Sequence, residues 1–170
     1  QGAVGIERQL PWHTTLSVNY LDSRGVHLLL SRDINAPLPG TFAAGDPVYP
    51  YASANGTGQI NQFESVGFFR QRQIMTSVNS RINRNISLFG NYTYNIAHST
   101  EDSATSLVSN PYDISADYGN SNLDVHNRVF FGGSINSRWD VRLSPFLVYQ
   151  SSRPYNITIQ DDLIGDGILN

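Results

Sequence analysis

The chain has 170 residues, 39% of them hydrophobic and only 15% charged, with a formal net charge of −3. Cysteine is absent, which excludes a disulfide framework, a thiolate metal site and a cysteine nucleophile. All eleven basic residues are arginine and none forms a run, so an electrostatic nucleic-acid binder is excluded, and no apolar run approaches the ~18 residues of a membrane helix. Residues 1–7 have neither a basic start nor an apolar core, so no signal peptide is predicted and the chain reads as the interior of something longer.

In chain order, alternating segments rich in β-branched and aromatic residues predict six strands, at 14–21, 26–34, 74–81, 86–97, 127–136 and 141–150. No stretch sustains helical periodicity with caps, so helices are expected to be scarce. Short turns are predicted at 22–25, 82–85 and 137–140, and long Gly-, Pro-, Ser- and Asn-rich loops at 36–58 and 99–124. A third loop begins near Ile159. Pro145 lies inside the last predicted strand and removes a ladder donor, so a bulge or break is expected there.

Short turns at one end and long loops at the other match the asymmetry of transmembrane β-barrels. The period-two pattern sorts the side chains into two faces. One carries Leu16, Val18 and Tyr20, then Val26, Leu28 and Leu30, then Leu88, Tyr92, Val129, Phe131, Leu143 and Leu147. The other carries Ser17, Asn91, Thr93, Ser134 and Arg142. A soluble sheet normally loads its wet face with Lys and Glu; here Ser, Thr, Asn and Gln stand in their place. The fold class expected is all-β: an antiparallel up-and-down sheet forming part of a transmembrane barrel, with residues 1–170 as one partial barrel domain. Six strands are too few to close, because single-chain barrels have at least eight. The alternative is a soluble β-sandwich module that binds carbohydrate or protein through its loops, and a secreted β-rich hydrolase ranks third.

Several stretches carry a family resemblance: Glu7-Arg-Gln-Leu-Pro11, Tyr20-Leu-Asp-Ser-Arg-Gly-Val-His-Leu28, Asn35-Ala-Pro-Leu-Pro-Gly40, Asn91-Tyr-Thr-Tyr94, Asp124-Val-His-Asn-Arg128 and Arg153-Pro-Tyr-Asn-Ile-Thr158. In these the chain resembles the C-terminal barrel region of Oar-like TonB-dependent outer-membrane receptors. Two departures stand out. The family usually has Arg-His where this chain has His126-Asn127, and its Asp-x-Asn-Gly-Asp-Gly loop appears as Asp162-Leu-Ile-Gly-Asp-Gly167. The resemblance implies energy-coupled passage of a substrate through a plugged barrel in the cell outer membrane. Its partners would be the remaining strands, the plug, outer-membrane lipid and a TonB-type coupling protein.

Candidate chemistry is sparse. The histidines (His13, His27, His98 and His126) lack zinc-site spacing, and no G-x-S-x-G elbow exists, so no enzymatic activity is expected. Asp161, Asp162 and Asp166 offer hard oxygen ligands for calcium, but Ile164 replaces one plausible ligand and an Asx-rich turn is the stronger account. Recognition is expected in the long loops. Tyr49 and Tyr51 stand in the first, and Tyr112 and Tyr118 in the second with Glu101, Asp102, Asp113 and Asp117, a set suited to a polar or cationic ligand or a surface partner, with a merely solvated rim loop the slightly stronger account. Arg70 and Arg72, with Glu64, Phe68 and Phe69, precede the third predicted strand and offer a binding rim at the outer mouth, although an ordinary solvated strand end is the stronger account.

Overall fold

The computed structural model describes residues 1–51, 58–137, 139–157 and 160–167. Part of the predicted loop 36–58, Arg138 of the turn at 137–140, Thr158 and the loop start at Ile159 lie outside the described residues. The strands are β1 (Gly2–Leu10), β2 (Thr14–Asp33), β3 (Asn61–Arg81), β4 (Ile86–Ser99), β5 (Gly119–Asn120), β6 (Asn127–Asn136), β7 (Arg142–Leu143) and β8 (Phe146–Gln150). They form one antiparallel sheet of order β1-β2-β3-β4-β6-β7, with β5 on β4 and β8 on β6. Among the described strands the order does not return to β1, so the sheet is open, as expected. A two-layer sandwich would need a second sheet, and all eight strands lie in this one. The helical content among the described residues is one 3-10 turn, Ile114–Asp117.

Two expectations are corrected at the N-terminal end. The segment 22–25 is not a turn: it lies inside β2, a single strand of 20 residues. Turn-type composition is overridden here by cross-strand partners. Asp22 faces Arg70 and Arg72, and the missing Cβ of Gly25 leaves room for Phe69. The reversal falls instead at Pro11-Trp12-His13, where Trp12 and His13 adopt positive φ of 60° and 49°. That turn pairs β1, which had not been expected, with β2 from Leu10↔Thr14 to Gly2↔Asp22. Likewise β3 begins at Asn61, so Arg70 and Arg72 sit within a strand of 21 residues rather than ahead of one.

Compact packing divides the chain into two units. The first comprises residues 1–24, 70–97 and 122–154. Its hairpin at 82–85 is the one expected: Asn83 Oδ1 accepts the amides of Asn85 (2.8 Å) and Ile86 (2.9 Å) and closes the turn locally. The β4–β6 register, Leu88↔Gly133, Gly90↔Phe131 and Tyr92↔Val129, puts the apolar positions on one face, and Phe131↔Leu147 extends it to β8. On β1, Val4↔Tyr20 and Ile6↔Val18 do the same. This face is uncovered, with Val18 40% and Leu147 56% exposed. Pro145 splits the last predicted strand into β7 and β8, as expected.

The opposite face is tied by amides and hydroxyls. Asn91 Nδ2 donates to Ser77 Oγ (2.9 Å), Gln71 Nε2 to Asn95 Oδ1 (2.7 Å) and Arg142 Nε to Ser134 Oγ (2.8 Å). At the entry to β6, Asp124 is nearly fully buried. Its Oδ1 accepts the Ala97 amide (2.8 Å) and its Oδ2 lies 3.0 Å from His126 Nε2. The polar face also carries an aromatic group that the alternation did not reveal. Phe130 stacks on Phe89 at 5.7 Å and meets Phe146 edge-on at 5.2 Å. Gly132 makes this possible, because a Cβ there would stand 2.7 Å from the Phe89 ring.

The second unit comprises residues 25–69, 98–121 and 155–170. Here a third correction applies. His27 has φ of 59° within β2, which interrupts the alternation. Leu28 and Leu29 are both exposed, whereas Leu30 is fully buried rather than sharing a face with Val26 and Leu28. Ser31 exchanges backbone hydrogen bonds with Ser106 and Val108, so Leu30, Ala36 and Val108 supply the apolar core under the loops.

Candidate functional site

The long loops of the second unit are built on a neck at the end of β2. Buried Asp33 accepts the amides of Asn35 (2.8 Å) and Ile60 (2.9 Å) through Oδ1, which clamps both ends of the loop 34–60. Asn35, also buried, donates to Gly58 O (2.9 Å) and accepts the Tyr51 amide (2.9 Å). The second loop is fastened to the first. Tyr112 donates its hydroxyl to Ala36 O (2.7 Å), and burial, then the Asp33 carboxylate, push that hydroxyl above its ordinary pKa and keep it a donor. Arg32 pairs with Glu64 and donates to Pro111 O (3.3 Å).

Of the four expected aromatic contacts, Tyr51 and Tyr112 are therefore brought to the same Asn35–Ala36 segment, one through its amide and one through its hydroxyl. Tyr118 stacks on His98 at 5.9 Å, away from that pair, and Tyr49 is half-buried. The four loop carboxylates behave unlike a set held out for a ligand. Asp113 caps the 3-10 turn through Ser115, Asp117 takes the amide and hydroxyl of Ser109, and Asp102 takes the hydroxyls of Ser99 and Ser121.

Glu101 is the exception in its electrostatics. Burial, then Asp117 and Asp102, push its pKa from 4.5 to about 7. A raised carboxyl pKa means the fold prefers the protonated form. The stability it contributes is complete below the unfolded value near 4.5 and is lost as pH rises through about 7. Amide exchange in residues 100–118 is therefore expected to quicken between pH 4.5 and 7, after correction for intrinsic exchange. Glu101→Gln is expected to remove that pH dependence.

In the C-terminal turn, Asp161 is exposed and Asp166 buried. The Asp162 carboxylate accepts the amides of Ile164 (3.2 Å), Gly165 (2.6 Å) and Gly167 (2.8 Å). Partial burial opposes its ionisation, but the Gly167, Gly165, Ile164 and Asp166 amides outweigh it and hold the pKa below the ordinary value. The Asp/Gly spacing thus serves a turn with positive φ at Gly165 and Gly167 (81° and 80°). Among the described residues, no three acidic or histidine side chains are gathered for a metal. The turn docks on the first loop, since Gln59 donates to Asp166 O and a Cβ on Gly165 would stand 2.2 Å from the Phe42 ring. Gly165→Ala is expected to cost about 1–3 kcal/mol through left-handed strain plus that clash, and to release the turn to proteolysis.

No helix among the described residues is long and apolar enough to cross a membrane. A single open sheet with one uncovered apolar face, one amide-lined face and strands up to 21 residues defines the other class of membrane protein, which crosses with strands. Residues 1–140 match the family model described as "Outer membrane beta barrel domain", and the chain belongs to that family. It is a barrel segment of an outer-membrane protein. No curated protein and no solved structure matches it. In such a barrel the apolar face of β1, β2, β4, β6 and β8 meets lipid and the amide-lined face meets the interior.

Proposed function

We propose that this barrel segment belongs to a TonB-dependent receptor of the Oar-like kind, which binds a substrate and passes it inward under energy coupling. The observation that carries the proposal is strand length. β2 and β3 have 20 and 21 residues, about twice the 9–11 that span a bilayer. They continue into a loop assembly with its own buried core, as a receptor that captures its substrate outside the membrane requires. The resemblance of residues 20–28 and 35–40 to such receptors supports the same reading.

Recognition then falls to the loop surface around Tyr51 and Tyr49. The plug, the remaining strands and the TonB-type protein are its partners. The full-length protein produced in cells with and without TonB provides the test. Surface binding of substrate is expected in both, and accumulation only in cells with TonB and an intact proton gradient. Equal accumulation after TonB deletion would assign the barrel to passive diffusion instead.

A further inference from the structure

We infer that the outward face of β2 and β3 carries a binding site for the phosphate groups of a phosphorylated outer-leaflet lipid, formed by Arg24, Arg70 and Arg72. On β2 the lipid-facing positions run Leu16, Val18, Tyr20, and then Asp22 and Arg24 on the same face by alternation. Arg70 and Arg72 of β3 both face Asp22, each with a guanidinium nitrogen 3.8 Å from Asp22 Oδ2. All of these residues lie within the first unit.

Position comes first. From Thr14 to Arg24 is ten residues, about 33 Å along the strand, or roughly 25 Å along the normal at a tilt of ~40°. That is the height of a barrel's apolar band, so the charges stand at its rim. Placed at mid-bilayer, such arginines would be strongly unfavourable. They also lie on the long-loop side of Tyr20, which places them at the outer leaflet. Tyr20 marks the interface just inside them, its hydroxyl 3.5 Å from Asp22 Oδ2.

Charge comes second. Two guanidiniums share one carboxylate, and at 3.8 Å neither contact is short enough for a hydrogen bond. The side chains of Arg70 and Arg72 are 50% and 52% exposed. Exposed pairs at this separation are weak, so the arginines keep their donors for a partner. Planar guanidinium forks pair with phosphate in two-point hydrogen bonds. Toward the hairpin end, the same face offers the acyl chains an apolar depression of about 380 Å³ at Gly90, bordered by Val78, Leu88, Tyr92, Val129 and Phe131. This site is independent of whether the barrel is TonB-dependent.

The test uses the full-length protein in neutral detergent micelles, with binding followed by native mass spectrometry. The probes are lipid A carrying both phosphates, the same lipid A with its phosphates removed, and inorganic phosphate as competitor. Barrel folding of each variant is checked by its shifted mobility on unboiled gels. The wild type is expected to prefer the phosphorylated lipid at least tenfold, and Arg70→Gln/Arg72→Gln to abolish that preference without altering binding of the dephosphorylated lipid. Arg128→Gln, on the opposite face, is expected to change nothing. Asp22→Asn removes the competing carboxylate and is expected to tighten phosphorylated-lipid binding a few-fold; this gain decides the matter should the double variant not fold. Equal affinity for the two lipids, equal loss in Arg128→Gln, no gain in Asp22→Asn, or displacement of the lipid by equimolar inorganic phosphate would each overturn the site.

Discussion

Phe131→Arg is expected to cost the folded barrel about 2–4 kcal/mol in lipid, whereas Asn91→Arg costs no more than about 1 kcal/mol. The two positions lie on adjacent strands of one sheet, Phe131 opposite Gly90 and Asn91 opposite Phe130, so they differ mainly in the face they occupy. Phe131 is on the uncovered apolar face, with Leu147 beyond it. An arginine there must take its charge into hydrocarbon or drag headgroups and water toward it. Asn91 faces the interior, where it loses its bond to Ser77 Oγ and the one it accepts from Thr93 Oγ1. Urea unfolding of the full-length barrel in vesicles, read by tryptophan emission, measures both. Equal penalties would mean that both faces meet the same solvent, which a lipid-spanning sheet forbids.

That face assignment was legible in the sequence where strands are bounded by local chemistry. β6 was predicted at its observed limits because Asn127 and Asn136 bracket an unbroken alternation. The turn before β4 was equally plain, because Asn83 closes it with its own side chain. The break at Pro145 followed from a missing donor. Legibility failed where distant residues decide. Asp22-Ser-Arg-Gly25 has the composition of a turn, yet the parity of the apolar positions is unchanged across it, from Leu16 and Val18 to Val26. That unbroken parity was the available signal for one long strand. β1 was missed because Arg8 and two glycines dilute its alternation, and only the register with β2 shows Val4 and Ile6 continuing the apolar face. The aromatic group of Phe89, Phe130 and Phe146 was hidden by the averaging of a polar face, although Gly132 among bulky neighbours marks where a ring must lie. In the candidate site, loop carboxylates were visible as residues but not as occupied acceptors. Whether Asp102 or Asp117 greets a ligand or a serine depends on loop closure, which no spacing in the sequence encodes.

Asp33→Ala is expected to loosen the whole loop assembly of the second unit, at a cost of about 2–4 kcal/mol. Asp33 is 3% exposed, and one oxygen serves two amides, the buried one of Asn35 and the part-buried one of Ile60. Truncation leaves the buried Asn35 amide without an acceptor, at roughly 1–3 kcal/mol, and removes the Ile60 bond at a net cost of about 1 kcal/mol. The damage is expected to spread. Asn35 is set by the same clamp and carries the Gly58 and Tyr51 bonds, and adjacent Ala36 takes the Tyr112 hydroxyl. Releasing the first loop therefore also frees the second, while the β4–β6–β8 register in the first unit is untouched. Limited proteolysis separates the two effects. Asp33→Ala is expected to be cut rapidly within 34–60 and 100–118, with the barrel still shifted on unboiled gels. Asp33→Asn keeps one carbonyl acceptor and is expected to be cut at an intermediate rate. Wild-type protection of both loops in Asp33→Ala would show that the neck is held without the Asp33 clamp.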